Sequence, residues 1–598
     1  MPERPVAVAA SFFALKTRVG VDATVDGALP SVAMTPLADA INSTPSVNCS
    51  PRRGLLRKNR CMWNLIFKSV PMRHSLAEIA QDWQRLSLFS VIGSSRDVWQ
   101  HAAMEQTLPP LIQALLEPRR YPGCVDRVEL VETHISWVLL AGDFAYKIKK
   151  PLNLPFLDFS TLEQRHASCL DELRLNRRFA PERYLDVISI CHTPQDPRLD
   201  GMDAPIEYAV KMQRFNEAGR LDRVCARGEL RSAHLSALAD TLNTFHTVAA
   251  IAPAASRFGS ADKVGAAALE NFHALALMLP DAGLCTRLDA LRGWTEAQLV
   301  QLAPLMAARK RDGRVRECHG DLHLANLVLV GQQVQMFDCI EFNDDLRWID
   351  GASEVAFTYM DLIAQGQPGL ANWFVNEILS HSGDYEAALV LRFYAVYRAM
   401  VRAKVAAIRM GQTGYDDSAA TPYVTLAENL ARPPPPRLVI THGLSGCGKT
   451  VASNGLLLGD SGASTLRLRS DVERKRLFGL THAQHSGSPV DTGIYAPDAH
   501  ARTYGRLREL AGMLLRGGWS VIVDATFLKR SERDAFRTLA REIGVAFSIM
   551  APQATPEQLR ERIEARQARG HDASEATLLV LEQQMRMIEP LAADEDLF

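Results

Sequence analysis

The sequence has few of the features expected of a secreted, membrane-spanning or zinc-cluster protein. Its ten cysteines are scattered singly, with no CxxC pair and no disulfide-like spacing. This pattern favours a reduced, cytosolic compartment, and on the same grounds we do not expect a zinc site. No apolar run approaches the roughly 20 residues that span a bilayer, and the N-terminal "VAVAASFFAL" is short and follows no strongly basic segment. We therefore expect a soluble, cytoplasmic protein without a membrane partner.

Net charge is also nearly absent. The 67 Lys and Arg residues almost balance the 68 Asp and Glu residues, giving a net charge of −1. This balance supplies no global electrostatic reason to expect nucleic acid as the main partner. A content of 47% hydrophobic and 23% charged residues is typical of a folded globular protein. At 598 residues the chain is too long for one core, and about 150 residues per domain predicts two to four domains.

The first hundred residues differ from the rest of the chain. Residues 1–103 include a stretch rich in Ser, Thr, Pro and Asn that shows no sustained period and ends in the basic cluster "RRGLLRKNR". Such a composition favours a disordered or poorly ordered extension. The basic cluster leaves open a targeting or nucleic-acid tail, and Met104 is an alternative start of the protein.

Four consecutive prolines, Pro433 to Pro436, mark the clearest boundary. Consecutive prolines favour a stiff extended spacer, because they neither continue a helix nor donate to a sheet. We predict a first domain over 104–430, a linker over 431–436 and a second domain over 437–598. In the second domain the strands "RLVITHG", "STLRLRSD" and "WSVIVDATF" alternate with helical runs, which predicts a mainly parallel α/β sheet with helices on both faces.

The stretch "GLSGCGKT" fits the phosphate-binding pattern GxxxxGK[ST] and lies between a predicted strand and a predicted helix. Its backbone N–H groups and the helix N-terminus supply positive potential for phosphate oxygens. Lys449 is expected to reach the β and γ phosphates, and Thr450 to ligate Mg²⁺. The predicted nucleotide-binding residues are Gly443, Leu444, Ser445, Gly446, Cys447, Gly448, Lys449 and Thr450. A chance glycine-rich turn is the alternative.

Two carboxylates follow predicted strands of the same domain, where ligands collect in open α/β sheets. Asp524 in "SVIVDATF" suits a role near Mg²⁺, and Asp471 in "LRLRSD" suits contact with an acceptor hydroxyl as a general base. Either could instead be a helix N-cap. An arginine-rich helix is expected in "TPEQLRERIEARQARG", ending at Gly570, and from it we predict that Arg566 and Arg569 contact the nucleotide. A solvated charged face is the alternative for this helix.

On "GLSGCGKT", "RSD", "DATF" and the lid-like "RQARGHDASEA", the segment 437–598 resembles the small AAA-type P-loop kinases. This group includes gluconate kinase-like, polynucleotide kinase-like and zeta-toxin-like proteins. The resemblance implies phosphate transfer to a metabolite or to a nucleic-acid end. It does not specify the acceptor.

A second chemical stretch is "HGDLHLANLVLVGQQVQMFD", His319 to Asp338. Phosphoryl transfer needs a carboxylate that orients or deprotonates a hydroxyl, and oxygen ligands that hold Mg²⁺ on the nucleotide. Asp321 suits the base, and Asn326 and Asp338 suit the metal. The predicted loop, strand "LVLV", turn at Gly331 and strand "VQMF" allow this spacing.

This stretch resembles the catalytic loop of the aminoglycoside phosphotransferases, relatives of protein kinases. The resemblance implies a two-lobed kinase-like fold from about 104 to 430. It also implies structural roles for His319 and His323. A metal pair of histidines at i and i+4 would need a helix, whereas this segment is predicted to be a loop. Asp350 is a candidate for fixing the loop.

A kinase-like N-lobe must also supply a lysine for the α and β phosphates and a helix glutamate. "RVELVETHISWVLLAGDFAYKIKK" predicts two strands joined at Ala141-Gly142-Asp143, and a helix follows with Ser160 and Glu163 in capping-box spacing. Lys147 is the first choice for the lysine and Glu172 for its partner. The alternative is that these lysines face solvent, because this part of the chain lacks a full GxGxxG loop. The segment that would cover the nucleotide then contains a single glycine.

Together these patterns predict an α/β and α+β multidomain protein, with a two-lobed kinase-like domain followed by a P-loop domain. From their motifs we expect both domains to use ATP or another NTP with Mg²⁺ and to transfer phosphate to hydroxyls of small molecules. The alternative is a nucleotide-dependent regulator or nucleic-acid end kinase whose first domain is a non-catalytic ligand sensor. The oligomeric state and the acceptors stay open.

Overall fold

The elements of the chain form an antiparallel sheet, a helical region and a parallel sheet, in that order. The computed structural model describes residues 17–18, 108–133, 135–154, 157–413, 419–487, 492–569 and 574–598, and the side chains of 411–413 and 569 lie outside this description. The predicted extension over 1–103 also lies outside the described residues, except for the short strand β1, Thr17–Arg18, which pairs with the next strand.

The first sheet has seven strands in the order β1-β2-β3-β4-β9-β7-β8, and all of its pairs are antiparallel. Its remaining strands are β2 (Val128–Glu132), β3 (Ser136–Ala141), β4 (Phe144–Lys149), β7 (Tyr184–Thr193), β8 (Asp196–Leu199) and β9 (Pro205–Gln213). The segment expected to form two strands forms three, because β2 ends at Glu132 and β3 begins at Ser136. The predicted turn at Gly142 joins β3 to β4.

The two faces of this sheet bury different apolar side chains, as the two-residue period of a strand requires. Tyr146 and Ile148 pack on one face with Ile112 and Leu115, from and just after the short helix α1 (Pro110–Ala114). Lys147 therefore points to the opposite face, toward the helical region.

Helix α2 (Leu162–Asn176) crosses the sheet after the small hairpin β5 (Asn153–Leu154) and β6 (Leu157–Asp158). Its N-cap is Thr161, whose hydroxyl accepts from the Gln164 N–H, while the Gln164 side chain accepts from the Thr161 N–H. The capping box is thus one residue beyond the predicted Ser160 and Glu163, because Thr161 and Gln164 have the same spacing and chemistry.

A helical lobe follows the sheet. It contains α3 (Leu221–Ala226), α4 (Ser232–Val248), α5 (Ala261–Met278), α6 (Ala282–Arg311), α7 (Asp344–Arg347), α8 (Gly351–Ala364), α9 (Pro368–Ser382), α10 (Ala387–Thr413) and α11 (Thr421–Ala431). Two short antiparallel pairs lie within it: β10 (Val315–Glu317) with β13 (Trp348–Asp350), and β11 (Leu327–Val330) with β12 (Gln333–Met336). The predicted strands "LVLV" and "VQMF" correspond to β11 and β12, with the turn at Gly331.

The C-terminal sheet has the order β15-β16-β14-β17, and its three strand pairs are parallel. Its strands are β14 (Arg437–Thr441), β15 (Thr465–Arg469), β16 (Ser520–Asp524) and β17 (Ala546–Met550). Its helices are α12 (Lys449–Gly459), α13 (Ser470–Leu477), α14 (Pro497–Arg516), α15 (Arg530–Ile543), α16 (Pro556–Arg569) and α17 (Leu578–Met587).

Helices cover both faces of this parallel sheet. Val439 and Ile522 pack with Leu457 of α12. Their strand neighbours on the other face, including Ile440 and Val523, belong to a larger core that also contains residues of α14 and α15. This agrees with the fold class predicted from the sequence.

Candidate active sites

Lys147 on β4 lies at the centre of the first candidate site. Its Nζ donates to Glu172 Oε1 of α2 at 2.8 Å and to Asp338 Oδ1 at 2.6 Å. Burial alone would lower the pKa of this lysine, but the carboxylates of Asp338 and Glu172 raise it well above its ordinary value. The structure thus brings three predicted residues, Lys147, Glu172 and Asp338, into direct contact. The raised pKa of Lys147 keeps its ammonium group charged.

Lys149, on the same face of β4, has a different set of partners. It is fully buried and bonds to Glu172 Oε2 and to Glu341 Oε1. Burial raises the pKa of the Glu341 carboxyl, and the Lys149 charge opposes this rise without cancelling it. Glu341 was not predicted from the sequence. It places a second buried carboxylate three residues after Asp338, within "DCIEF".

The turn that carries Asp338 is held on two sides. Asp338 itself has a φ of 65°, in the left-handed region. Its N–H donates to the Tyr184 hydroxyl at 3.0 Å, and the next N–H, of Cys339, donates to Asn176 Oδ1 at 2.9 Å. Because Asn176 is one helical turn after Glu172, α2 positions both the Lys147 partner and the Asp338 backbone.

The loop from His319 to Asn326 forms the other side of the site. Asn326 Nδ2 donates to the backbone carbonyl of Asp321 at 2.9 Å and to Asp321 Oδ2 at 3.1 Å. The amide oxygen of Asn326 is therefore its remaining ligand atom for a cation. The His319 ring bonds to the Phe337 carbonyl at 2.8 Å, and His323 Nε2 lies 3.4 Å from Asp321 Oδ2. Both histidines thus contact the loop and its neighbours, in keeping with scaffold roles.

Helix α8 braces this loop from behind. Glu354 accepts from the His319 and Gly320 N–H groups, the Thr358 hydroxyl donates to the Leu322 carbonyl at 2.6 Å, and Asp361 accepts from the Leu324 N–H at 2.9 Å. Burial would raise the pKa of Glu354, but its bond to His246 at 2.7 Å and that histidine's charge hold it below the ordinary value. These three helix residues lie at i, i+4 and i+7, on one face.

Asp350 acts one step further from the loop. It caps α8 by accepting from the Ala352 N–H at 2.9 Å, and it pairs with Arg309 through bonds of 2.7 and 2.8 Å. Asp350 therefore contacts α8 and Arg309 rather than the loop itself, and its role in fixing the loop stays a prediction.

The segment expected to cover the nucleotide above Lys147 differs from the prediction, which placed a single glycine in it. Gly142 lies in the β3–β4 turn, whereas the position of a kinase glycine-rich loop corresponds to the connection between β2 and β3. Residue 134 lies outside the described residues. Val131, Val138, Leu140 and Ala145 form an apolar patch on the Lys147 face of the sheet.

That patch borders a cavity of about 570 Å³. Val131 and Leu140 line it together with Gln213 and Phe215, at the crossing from β9 to the helical lobe. A flat apolar group with polar edges fits such a lining.

Arginines of α10 approach the base candidate from the opposite side. Arg402 Nη2 lies 3.5 Å from the Tyr423 hydroxyl oxygen. Burial works against its charge, but Tyr423, Asp361 and Asp321 raise the pKa of Arg402 above its ordinary value. Burial and the Arg402 charge lower the pKa of Arg409 to about 10. Arg402 and Arg409 are seven residues apart, which places them on the same face of a helix. This spacing is the sequence pattern that could have predicted a basic face here.

The second candidate site surrounds the loop before α12. Gly443, Gly446 and Gly448 all have positive φ. A Cβ atom at Gly446 would come within 3.0 Å of the Leu559 carbonyl oxygen, so a side chain there would be strained and crowded. Lys449 Nζ donates to the carbonyls of Gly443 and Leu444 at 2.9 and 2.8 Å, across the loop that it follows.

The other loop residues divide between backbone and side-chain roles. Leu444 and Cys447 pack in an apolar cluster with Leu559 and Ile563 of α16. The Ser445 N–H donates to Gln584 Oε1 of α17 at 2.8 Å. The two C-terminal helices therefore hold the loop in place.

Thr450 and Asp524 meet at the carboxyl end of the parallel sheet. The Thr450 hydroxyl donates to Asp524 Oδ2 at 3.0 Å, and the Ser453 hydroxyl donates to the same oxygen at 3.3 Å. Asp524 ends β16 and caps no helix. Asp471 lies in the first turn of α13, whose N-cap is Arg469, and pairs with Arg474 at 3.0 Å.

These residues line one cavity of about 650 Å³. Lys449, Thr450, Asp471, Asp524 and Arg566 all face it. Arg562, one turn before Arg566, also lines it and donates to the Gly446 carbonyl at 3.2 Å. Arg562 was not predicted, although its spacing of four residues from Arg566 was the available signal. The side chain of the predicted Arg569 lies outside the described residues.

Both donor sets fit a nucleotide with a bound magnesium ion. The P-loop supplies a glycine cradle that a Cβ would crowd, a lysine, and a hydroxyl-carboxylate pair of hard oxygen ligands. The first site supplies a buried charged lysine, the Asp338 carboxylate and the Asn326 amide oxygen. The Asp338 side chain is 18% exposed, so it is open to a ligand.

Solved structures of known kinases resemble the two halves of the chain. A choline/ethanolamine kinase family protein from Mesorhizobium loti matches 54% of this chain and 94% of its own length, at 12% identity and a TM-score of 0.35. A sugar kinase from a Janibacter species matches 27% of this chain and 84% of its own, at 21% identity and a TM-score of 0.20.

The fold is that of a kinase-like domain joined to a P-loop domain, as predicted. The family model described as "AAA domain" matches residues 438–591. The chain belongs to the family of the uncharacterized proteins Rv2004c of Mycobacterium tuberculosis and Mb2027c of Mycobacterium bovis. Each is 31% identical to it over 453 residues, which are 75% of this chain and 88% of the relative. The P-loop match and the kinase-like architecture support a phosphotransferase function.

None of the helices in the described part of the chain is both long enough and apolar enough to span a bilayer.

Proposed function

We propose that the protein is an ATP-dependent phosphotransferase with two kinase-type modules, each transferring phosphate to hydroxyls of small molecules. The modules occupy residues 104–430 and 437–598, with 431–436 as the linker. The observation that carries the proposal is the contact of Lys147 with both Glu172 and Asp338. Asp338 lies 191 positions after Lys147 in the chain. A fold without a nucleotide has little reason to bury a charged lysine between two carboxylates, one of them partly exposed.

In the first module, Asp321 is the residue that orients or deprotonates the acceptor hydroxyl. Its side chain is fully buried and is fixed by Asn326, with His323 close to the same oxygen. Lys147 holds the α and β phosphates, and Glu172 holds Lys147. Asn326 and Asp338 hold Mg²⁺, which when bound neutralises charge on the phosphates. The apolar patch beside Lys147 receives the base.

In the second module, Lys449 and the backbone N–H groups of residues 443–450 hold the phosphates. Thr450 and Asp524 hold Mg²⁺, and Asp471 contacts the acceptor hydroxyl. Arg566, with Arg562, closes over the phosphates from α16. Since Arg562 bonds only to a backbone carbonyl among the described partners, its charge is available to a phosphate group.

The second candidate function is a nucleic-acid end kinase or nucleotide-dependent regulator with a sensing first module. A continuous basic groove leading to Asp471 would favour it. The cavity at Asp471 instead contains acidic Glu561 and Glu575 beside Arg469 and Arg474. This mixed lining, in a cavity of about 650 Å³, supports a small-molecule acceptor.

The test is ATP consumption across sugars, amino alcohols, aminoglycosides and oligonucleotide 5′ ends. Wild type is compared with Asp321→Asn, with Lys449→Ala and with Asp345→Asn. Asp345 is a matched control because it is an exposed carboxylate paired with Lys263 at 3.0 Å. We expect one acceptor class to lose turnover in Asp321→Asn and another in Lys449→Ala, with Asp345→Asn unchanged.

The outcomes separate the alternatives. If neither substitution lowers any turnover that wild type shows, the proposal of two kinase modules is wrong. Loss in Lys449→Ala alone makes the first module a sensor. Turnover confined to oligonucleotide ends supports the second candidate function.

A further inference from the structure

Three metal-ligating side chains meet at a place remote in sequence from both sets of site residues. Asp240 belongs to α4, His381 to α9 and His482 to the segment after α13. One ligand atom from each lies within 4.8 Å of the other two. His381 Nδ1 is 2.8 Å from Asp240 Oδ1, and the His381 and His482 rings are stacked with centroids 4.0 Å apart at an angle of 2°.

An ordinary ion pair accounts for Asp240 and His381 but not for His482. Two parallel imidazoles at this distance repel each other if both are charged. Burial lowers the pKa of His482, and the neighbouring His381 lowers it further.

We propose that Asp240, His381 and His482 form a binding site for a divalent transition-metal ion of the Zn²⁺ class. Two imidazole nitrogens and one carboxylate oxygen are a ligand set that Zn²⁺ accepts, leaving at least one further coordination position. Metal–ligand bonds of about 2.1 Å place the donors of a tetrahedral site about 3.4 Å apart. The observed atoms are close enough to reach this arrangement by side-chain rotation.

Other charges around the cluster are compatible with a cation. Glu377 Oε2 lies 3.7 Å from His381 Nε2 and adds a second carboxylate. Arg469 and Lys475 also act on His482, and Lys475 is already paired with Glu575 at 3.1 Å. Asp240, His381 and His482 all line a cavity of about 670 Å³.

The site would join the two halves of the chain. Asp240 and His381 belong to the helical lobe, whereas His482 belongs to the P-loop half. Four residues after His482, the Ser486 N–H donates to Glu575 Oε1 at 2.9 Å, and Glu575 lines the cavity of the second candidate active site. A bound ion therefore fixes the segment that borders that cavity. The proposal does not depend on which acceptor either module uses.

The test is a Zn²⁺ titration of the full chain after chelator treatment, followed by calorimetry. Excess MgCl₂ keeps the magnesium sites occupied. We expect one Zn²⁺ per chain, at least about tenfold weaker binding in His381→Ala and in His482→Ala, and no change in His485→Ala. His485 is the matched control, three residues from His482 and outside the cluster.

Two additions keep the result decisive if a histidine variant folds poorly. Asp240→Asn changes a side chain that is 60% exposed, so the fold should survive while Zn²⁺ affinity falls. Co²⁺ bound in place of Zn²⁺ should give visible d–d absorption that the His381 and His482 variants lose. Wild type that binds no Zn²⁺, or His381→Ala and Asp240→Asn that bind it as tightly as wild type, would overturn the proposal.

Discussion

Lys147 and Lys149 show how two like residues on one strand face take different roles. Lys147 contacts Asp338, a partly exposed carboxylate, whereas Lys149 contacts only carboxylates that are fully buried, Glu172 and Glu341. The first lysine therefore has one carboxylate partner that is partly exposed. The second holds the buried carboxylates together and so supports the first.

At the residue scale, we expect Lys149→Met to destabilise the protein by about 3–5 kcal/mol, because it leaves two buried carboxylates without their shared cation. The double variant Lys149→Met with Glu341→Leu should recover most of this loss. The measurement is the free energy of unfolding in urea.

Lys150→Met is the control for this prediction. Lys150 pairs with Glu132 at the sheet surface, where the Glu132 side chain is 42% exposed. Removing such a pair should change stability by less than about 1 kcal/mol. Equal losses in Lys149→Met and Lys150→Met would contradict the assignment of a buried network.

At the scale of elements, two helices use polar side chains to hold the backbone of a neighbouring segment. α8 presents Glu354, Thr358 and Asp361 to the backbone of the catalytic loop. α9 presents Asn372 and Asn376 to strand β15, where Asn376 accepts from the Arg467 N–H at 2.6 Å and donates to the Thr465 carbonyl at 3.0 Å. β15 is an edge strand, so these amides satisfy groups that would otherwise be open to pairing with another chain.

For α8, we expect Thr358→Val to reduce turnover by the first module while leaving the P-loop module unchanged. The variant keeps the side-chain shape but removes the buried hydrogen bond to the Leu322 carbonyl, next to Asp321, at a stability cost of about 1 kcal/mol. The measurement is kcat for each module's acceptor, with the unfolding midpoint alongside. Thr358→Ser keeps the hydroxyl and should retain turnover, and the idea fails if Ser and Val behave alike.

At the scale of the molecule, the two modules share one hydrophobic core. A single apolar cluster contains Tyr359 and Tyr385 of the helical lobe as well as Ile440 and Trp519 of the P-loop half. Polar contacts reinforce it: the Tyr359 hydroxyl donates to the Ala463 carbonyl at 2.7 Å, and Trp519 Nε1 donates to the Ala388 carbonyl at 2.9 Å. The prolines therefore connect packed modules, and Thr107–Phe598 belong to one compact unit.

The tightest approach between the modules is at Gly369, in the first turn of α9. A Cβ atom there would lie 2.0 Å from the Leu458 carbonyl oxygen of α12. We expect Gly369→Ala to lower the unfolding temperature clearly in calorimetry, because backbone must move to relieve the clash. Gly293→Ala, in α6 with nothing within 4 Å, is the control and should be neutral or slightly stabilising. A neutral Gly369→Ala would show that the modules are not packed this closely.

The pH dependence of stability also belongs to the whole chain. Burial lowers the pKa of His319 in the first module and of His442 in the second, from an ordinary value of 6.5. Below that value the unfolded chain binds protons that the folded chain does not, so stability rises with pH up to about pH 6.5 and levels off above it.

We therefore expect the free energy of unfolding to fall between about pH 7.5 and pH 5.5, by at most about 1.4 kcal/mol per pH unit for each such histidine. The measurement is urea unfolding across this range. His442→Gln should reduce the slope. A stability that is constant or rises toward pH 5.5 would contradict the assignment.

Several features followed from the sequence because the chemistry is local. The "GLSGCGKT" loop lies between strand β14 and helix α12, and the strands at "LVLV" and "VQMF" occur with their turn at Gly331. Local pattern was less reliable where two registers were equally good. The capping box predicted at Ser160 and Glu163 was wrong for this reason, since Thr161 and Gln164 form it. The segment predicted to form two strands forms three.

The sequence by itself determined the fold class, the P-loop and the two strands that follow the loop from His319 to Asn326, because glycine spacing, strand alternation and helix caps act over a few residues. Only the tertiary structure decided which lysine meets Asp338, that Glu341 shares the buried network, and that α8 and α9 hold the loop and the sheet edge. It alone brought His482 to Asp240 and His381. Such contacts join residues far apart in the chain, and their geometry depends on how whole elements pack.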